Sequence, residues 1–208
     1  MISTQAQLET AALDYGLLPF FANHIPEFSV EEMAAPGMLF GETPDDYGCW
    51  EWKGPVIRKQ TTAYGKFFRR KAGFVARQLL PDFINYRRAA YPILSGSPEE
   101  QIISLFRQHD CLTSTELKRQ MPGQKIETPL QRLQMGLWLI IADFEYKISA
   151  AGQRYGWGVA LYTTPEIWFG NEITVCQRQP MESFRCLCTS LSLCLPDIPL
   201  QTIEKLLR

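Results

Sequence analysis

A chain of 208 residues, 46% hydrophobic and 21% charged, has the length and composition of a globular protein with a sizeable core. Its net charge of −1 excludes a uniformly basic or acidic chain. No apolar run approaches the roughly 18 residues that a membrane-spanning helix needs, and no basic region followed by an apolar one opens the chain. The expectation is a cytoplasmic protein with no membrane partner.

The balanced total hides a polarised layout. Residues 1–51 hold nine acidic side chains and no Lys or Arg, whereas Lys53 to Arg88 hold ten basic residues against Asp82 alone. The remainder is nearly neutral, with eleven basic and twelve acidic side chains in residues 89–208. Such asymmetry fits either an acidic face that covers a basic one or a basic face kept free for a polyanion.

In chain order, Leu8, Ala11, Ala12 and Tyr15 at helical spacing predict a first helix stopped by Gly16. Ser29 with Glu32 forms a capping box for a second, ended at Pro36-Gly37. A turn-rich stretch, Gly41 to Gly48, leads into Trp50 and Trp52. Alternating Trp-x-Trp reads as a strand with one face buried. The alternative is a base-stacking pair, with Glu51 acting on water beside a flipped base. Ala63 to Arg77 reads as a mixture of helix and extended chain, and Asp82 to Ala90 as a helix. Ser95-Gly-Ser-Pro98 is the expected boundary between an N-terminal domain, 1–95, and a second domain, 97–170.

The second domain carries the most regular pattern. Pro98 to His109 is an amphipathic helix, Thr113 with Glu116 caps a short one, and Thr128-Pro129 opens a third that stops at Gly136. Leu137 to Ile141 and Tyr155 to Tyr162 then read as two strands around a polar tip, Ser149 to Arg154. Helix, helix, helix and hairpin is the order of a winged helix-turn-helix, within a mostly helical α+β chain that admits tandem winged-helix units. Its third helix can enter a major groove with Gln131, Arg132 and Gln134 outward, while Lys147, Gln153 and Arg154 at the wing meet phosphates. Residues 171–208 read as a helical extension, Glu182 to Leu193 and Leu200 to Leu207, with a homodimer through these helices as one use.

The basic segment supplies the main candidates for nucleic-acid contact: Lys53, Arg58, Lys59, Lys66, Arg69, Arg70, Lys71 and Arg77. Cations neutralise phosphates and release counterions, and interleaved aromatic rings can stack on unpaired bases, Trp50 and Trp52 above all. The same pattern also describes a core with a solvated rim. Enzyme signals are weak. There is no phosphate loop, nucleophile elbow or zinc helix, and Asp45-Asp46 and His109-Asp110 read as a turn and a helix end. Six cysteines without paired spacing read as reduced thiols, so neither metal nor cofactor is expected.

The run Trp50-Glu-Trp52-Lys-Gly54, then Tyr64-Gly-Lys66, Gly73-Phe-Val75 and Leu80-Pro-Asp-Phe83, resembles short bacterial proteins of the AlkZ-related (AlkZ/YcaQ-type) winged-helix group. The segment Leu130 to Ile141 and its Tyr-rich wing strand resemble it too. That likeness, over roughly residues 8–170, implies tandem winged-helix units, DNA as partner and a link to DNA repair. Full-length members include DNA glycosylases. Their chemistry uses a Gln-x-Gln or Gln-x-Asp pair that positions water. Gln5-Ala-Gln7 is such a pair, but it sits at the extreme N-terminus, away from the family position, so the activity is not carried over. Three readings stay open: a DNA-binding protein, a divergent glycosylase using Glu51 or the Gln5/Gln7 pair, and a protein-interaction module whose basic segment meets an acidic partner.

Overall fold

In the computed structural model, residues 1–41, 48–149, 152 and 154–208 are described, without the side chains of 154–157. Asp45, Asp46 and Gln153 lie outside them, as does most of the predicted Gly41–Gly48 turn. The chain is a mixed α/β fold around one antiparallel six-stranded sheet.

The first half runs α1 (Gln5–Tyr15), β1 (Leu17–Pro19), α2 (Val30–Met33), α3 (Gly48–Arg58), β2 (Thr62–Phe68), β3 (Lys71–Ala76) and α4 (Leu80–Ala90). The second runs α5 (Pro98–Leu105), β4 (Leu112–Thr113), α6 (Ser114–Gln120), α7 (Glu127–Met135), β5 (Ile140–Ile148) and β6 (Arg154–Thr163). A short α8 (Pro165–Phe169) leads to α9 (Pro180–Cys194) and α10 (Leu200–Leu207).

Local chemistry accounts for many of the ends. Ser29, Ser97 and Thr113 cap α2, α5 and α6 through their hydroxyls, and Glu116 completes the capping box of α6. Gly136 ends α7 as expected. Two expectations are corrected. Trp50 and Trp52 lie on helix α3, not on a strand. Ala63 to Arg77 contains no α-helix; it is mostly the β2–β3 hairpin. The pair Gln5/Gln7 falls in the first turn of α1.

The topology repeats although the sequence shows no repeat. Helix, strand, two helices and two strands occur twice, and the strand order β1-β3-β2-β5-β6-β4 reads outward in the same way from its centre. The two sets meet where Tyr64 of β2 pairs with Ile141 of β5. Around that seam, α3 packs against β5 and α7 against β2, so the last helix of each set lies on the other's strand. A continuous core of Phe20, Phe67, Phe74, Phe83, Leu139 and Ile140 results. The Ser95–Pro98 turn joins the two sets, but the sheet does not divide there.

Within residues 171–208, Pro180–Cys194 and Leu200–Leu207 are α-helical. Phe184, Leu187, Leu191, Ile203, Leu206 and Leu207 are buried, and α9 packs on α4. A polar latch reinforces that contact: Ser183 Oγ donates to Asp82 at 2.7 Å and Asn85 Nδ2 to Ser183 Oγ at 2.9 Å. Arg178 pairs with Asp82 at 3.0 Å. The apolar faces of these helices are thus largely occupied within the chain, with Met181, Leu193 and Leu200 left outside. No helix among the described residues is long and apolar enough to cross a membrane.

Candidate nucleic-acid interface

The basic segment divides into residues that are used internally and residues that are displayed. Its hairpin explains both. The ladder between β2 and β3 runs from Thr62↔Ala76 to Gly65↔Gly73, then skips Lys66 and Phe67 and closes at Phe68↔Lys71. That skip is a bulge, and it leaves one N–H and one carbonyl out of the ladder. Gln134 of α7 accepts from Lys66 N–H at 3.2 Å, and Arg87 of α4 donates to Phe67 O at 2.6 Å. Both are buried for that reason. Gln134, expected to face a groove, is therefore a plug in the fold. It lies four residues after Leu130, on the same face of α7, and that face packs against β2.

Beyond the bulge, Phe68↔Lys71 leaves two residues in the turn, Arg69 and Arg70, with φ of 49° and 70°. Two positive φ values define a tight hairpin turn that favours Asn-Gly, because a Cβ is crowded in this region. Two arginines there are locally costly, by about 1 kcal/mol or more each. Both side chains are exposed, neither is in an ion pair among the described residues, and Lys66 is exposed beside them. Lys71 is tied by its ammonium to Ala22 O at 2.6 Å.

The remaining candidates are mostly paired or packed. Arg58 donates to both Asp143 oxygens, at 2.7 and 2.9 Å, and Lys59 pairs with Glu9. That last contact is the one ion pair among the described residues between the acidic block and the basic segment. Arg77 donates to Phe169 O at 3.3 Å. On α7, Gln131 is half-buried and Arg132 exposed, 3.7 Å from Glu99. Lys147 is exposed on β5; Arg154 is placed on β6 by its backbone alone. Among the described residues, no acidic side chain of the N-terminal block pairs with Arg69 or Arg70, and both arginines are exposed.

Lys53 is a second correction, since it is buried rather than displayed. Its ammonium donates to Trp50 O and sits 3.7 Å from the Trp50 ring centre and 4.3 Å from that of Phe144. Burial pushes the ammonium down to about 7, with Glu51 opposing. Its folded pKa then lies below the unfolded one, so between about pH 7 and pH 10.5 the unfolded chain holds more protons. Stability should climb with pH across that window. Lys53→Met should be more stable than the native chain by about 2 kcal/mol at pH 7 and should flatten the climb. Urea unfolding of both at pH 7 and pH 9.5 checks this; parallel pH profiles would sink it.

The tryptophans pack inward. Trp50 lies 5.9 Å from Phe20, 6.2 Å from Phe21 and 5.7 Å from Phe40, ring to ring. Trp52 is half-buried against the core, and Glu51 is half-buried between them in sequence. Gln7 is engaged locally, accepting from Ser3 N at 2.8 Å and Ser3 Oγ at 2.9 Å. These residues are not gathered into one site with the hairpin. Among the described residues no cluster of His, Cys, Asp and Glu suits a metal ion.

Comparison with curated proteins gives no match. Among solved structures, the chain is similar to Streptomyces sahachiroi DNA glycosylase AlkZ, with a TM-score of 0.50 at 10% identity. The likeness covers 91% of this chain and 57% of that one, so the chain spans little more than half the glycosylase's length. It is a likeness of fold. A comparison with protein families matches residues 2–208, almost the whole chain, to the family described as AlkZ related. This chain belongs to the AlkZ-related family.

Proposed function

We propose that this protein binds DNA, that residues 1–95 and 97–170 are two winged-helix units sharing one sheet, and that 171–208 is their helical support. The observation that carries this reading is the Arg69–Arg70 turn. Two arginines occupy left-handed backbone positions, lie exposed and, among the described residues, have no acidic partner. A sequence under no demand but stability would place Asn-Gly there. Lys66 and Lys71 flank the turn, while Arg132, Lys147 and Arg154 are candidates on the second unit. Gln131 stands beside Arg132 on α7. Family membership and the glycosylase fold support DNA as the partner and a role linked to repair.

Contacts of this kind are made to phosphates, so binding is expected to be weakly sequence-dependent and steeply salt-dependent. Fluorescence-anisotropy titrations of duplex and single-stranded DNA across a potassium chloride series test this. Log affinity should fall linearly with log salt, by about 0.9 per phosphate contacted on duplex. Affinity that ignores salt would refute the phosphate reading.

A second reading, a divergent DNA glycosylase, is favoured by the activity in the name of the structural neighbour. Gln7 held by Ser3, and Trp50 packed among Phe20, Phe21 and Phe40, weigh against the residues first considered for it. A base-excision assay on alkylated duplex decides between the two.

A further inference from the structure

We infer that the cleft between the β2–β3 turn and α10 holds a backbone phosphate of bound DNA, with Lys205 and Arg208 as contacts beside Arg69. This rests on the DNA-binding reading and extends it to the C-terminal helix. The cleft is open, about 370 Å³, and is lined by Arg69, Gln201, Glu204, Lys205 and Arg208. Gln201, Lys205 and Arg208 are spaced at i, i+4 and i+7, one stripe of a helix, and all three are exposed. The opposite stripe, Ile203, Leu206 and Leu207, is buried, so the polar stripe cannot turn away.

Three cationic side chains face this space against the single carboxylate of Glu204, which lies 3.4 Å from Arg208 Nη2. The negative end of α10, worth about half an elementary charge, leaves the balance positive. Lys205 and Arg69 have no ion-pair partner among the described residues. Their charges are therefore held close together without compensation, which raises the affinity for an anion and costs stability without one.

One buried side chain fixes both walls. Arg87 donates to Phe67 O at 2.6 Å, two residues before Arg69, and to the Arg208 main-chain oxygen at 3.1 Å. Arg208 itself lies over the Phe184 ring at 5.2 Å. Arg87 thus acts as a positioning residue: it touches no ligand, but it sets the spacing between hairpin tip and helix end. A cleft whose lining residues are all polar or charged suits a phosphodiester rather than a base. Because it adjoins the Arg69–Arg70 turn, a strand lying across the turn reaches it.

The test is anisotropy titration of one duplex at low salt with Lys205→Glu and Gln201→Glu, two exposed positions that leave the fold intact. Both should weaken binding, Lys205→Glu by about tenfold, and Lys205→Ala should lower the log–log salt slope by about one contact. Thermal melting should show all three variants at least as stable as the native chain. If Lys205→Glu and Gln201→Glu bind like the native protein while Arg69→Asn/Arg70→Gly does not, the cleft is no subsite and the hairpin reading stands alone. If the native protein binds no DNA, both fall. Loss of binding by Lys205→Glu to phosphatidylserine vesicles but not to DNA would also overturn it, naming a membrane surface instead.

Discussion

Replacing Arg87 by methionine is expected to lower stability by about 3 kcal/mol, although the substitution removes a buried cation. The reason is what the guanidinium holds. It donates to Phe67 O in the β2 bulge and to the Arg208 main-chain oxygen, and lies 5.1 Å from the Phe83 ring centre. Its desolvation is costly, which is why burial lowers its pKa. Removing it leaves two acceptors without that donor, the buried Phe67 O and the part-buried Arg208 main-chain oxygen, and a buried one costs about 1–3 kcal/mol. The contrast with Lys53 makes the argument sharp. Among the described residues, the Lys53 ammonium bonds only a carbonyl of its own helix and reaches another element through the Phe144 ring alone, so its loss leaves no acceptor of a second element without a donor. Lys53→Met should therefore stabilise and Arg87→Met destabilise, although both delete a buried positive charge. Chemical unfolding at pH 7 measures the pair. An Arg87→Met protein as stable as the native chain would mean that the bulge finds another donor.

The double substitution Arg69→Asn/Arg70→Gly is expected to raise stability by about 1–2 kcal/mol. The same change is expected to weaken DNA binding by one to two orders of magnitude, on the order of 10- to 100-fold for two lost phosphate contacts. Asn and Gly suit the positive φ that Arg69 and Arg70 now adopt, so the hairpin closes with less strain. Such an opposition, with stability gained and binding lost, is the mark of residues retained for function. A variant that gained stability but kept native affinity would leave the strained arginines without a purpose. One that lost stability would show that the arginines are held by contacts with the rest of the fold.

Much of the helical content was legible because its signals are local. Thr113 with Glu116, Ser29 with Glu32 and the 3.6-residue period of Leu200 to Leu207 each specify a helix without reference to the rest of the chain. The hairpin at the centre of the site was not. Six of the seven residues of β2 are buried, so the strand shows no polar alternation, and its turn is Arg-Arg, which carries no turn signal. Helix α3 was obscured by Trp50-x-Trp52 and by Pro55 within it. The burial of Gln134 depends on α7 packing against β2, some seventy positions away in sequence, and no local period encodes that contact. Likewise Lys205 and Arg208 lie in the segment read as a helical extension with a homodimer as one use, and their nearness to Arg69 appears only in three dimensions.

The measurement that bears most directly on the DNA-binding reading is a side-by-side anisotropy titration of duplex DNA. It compares the native protein with Arg69→Asn/Arg70→Gly over a salt series. Native binding that falls steeply with salt, with weaker affinity and a slope shallower by about two contacts in the variant, is the predicted result. Superimposable titrations, or no binding by the native protein at low salt, would contradict it and return the basic hairpin to a structural role or a protein partner.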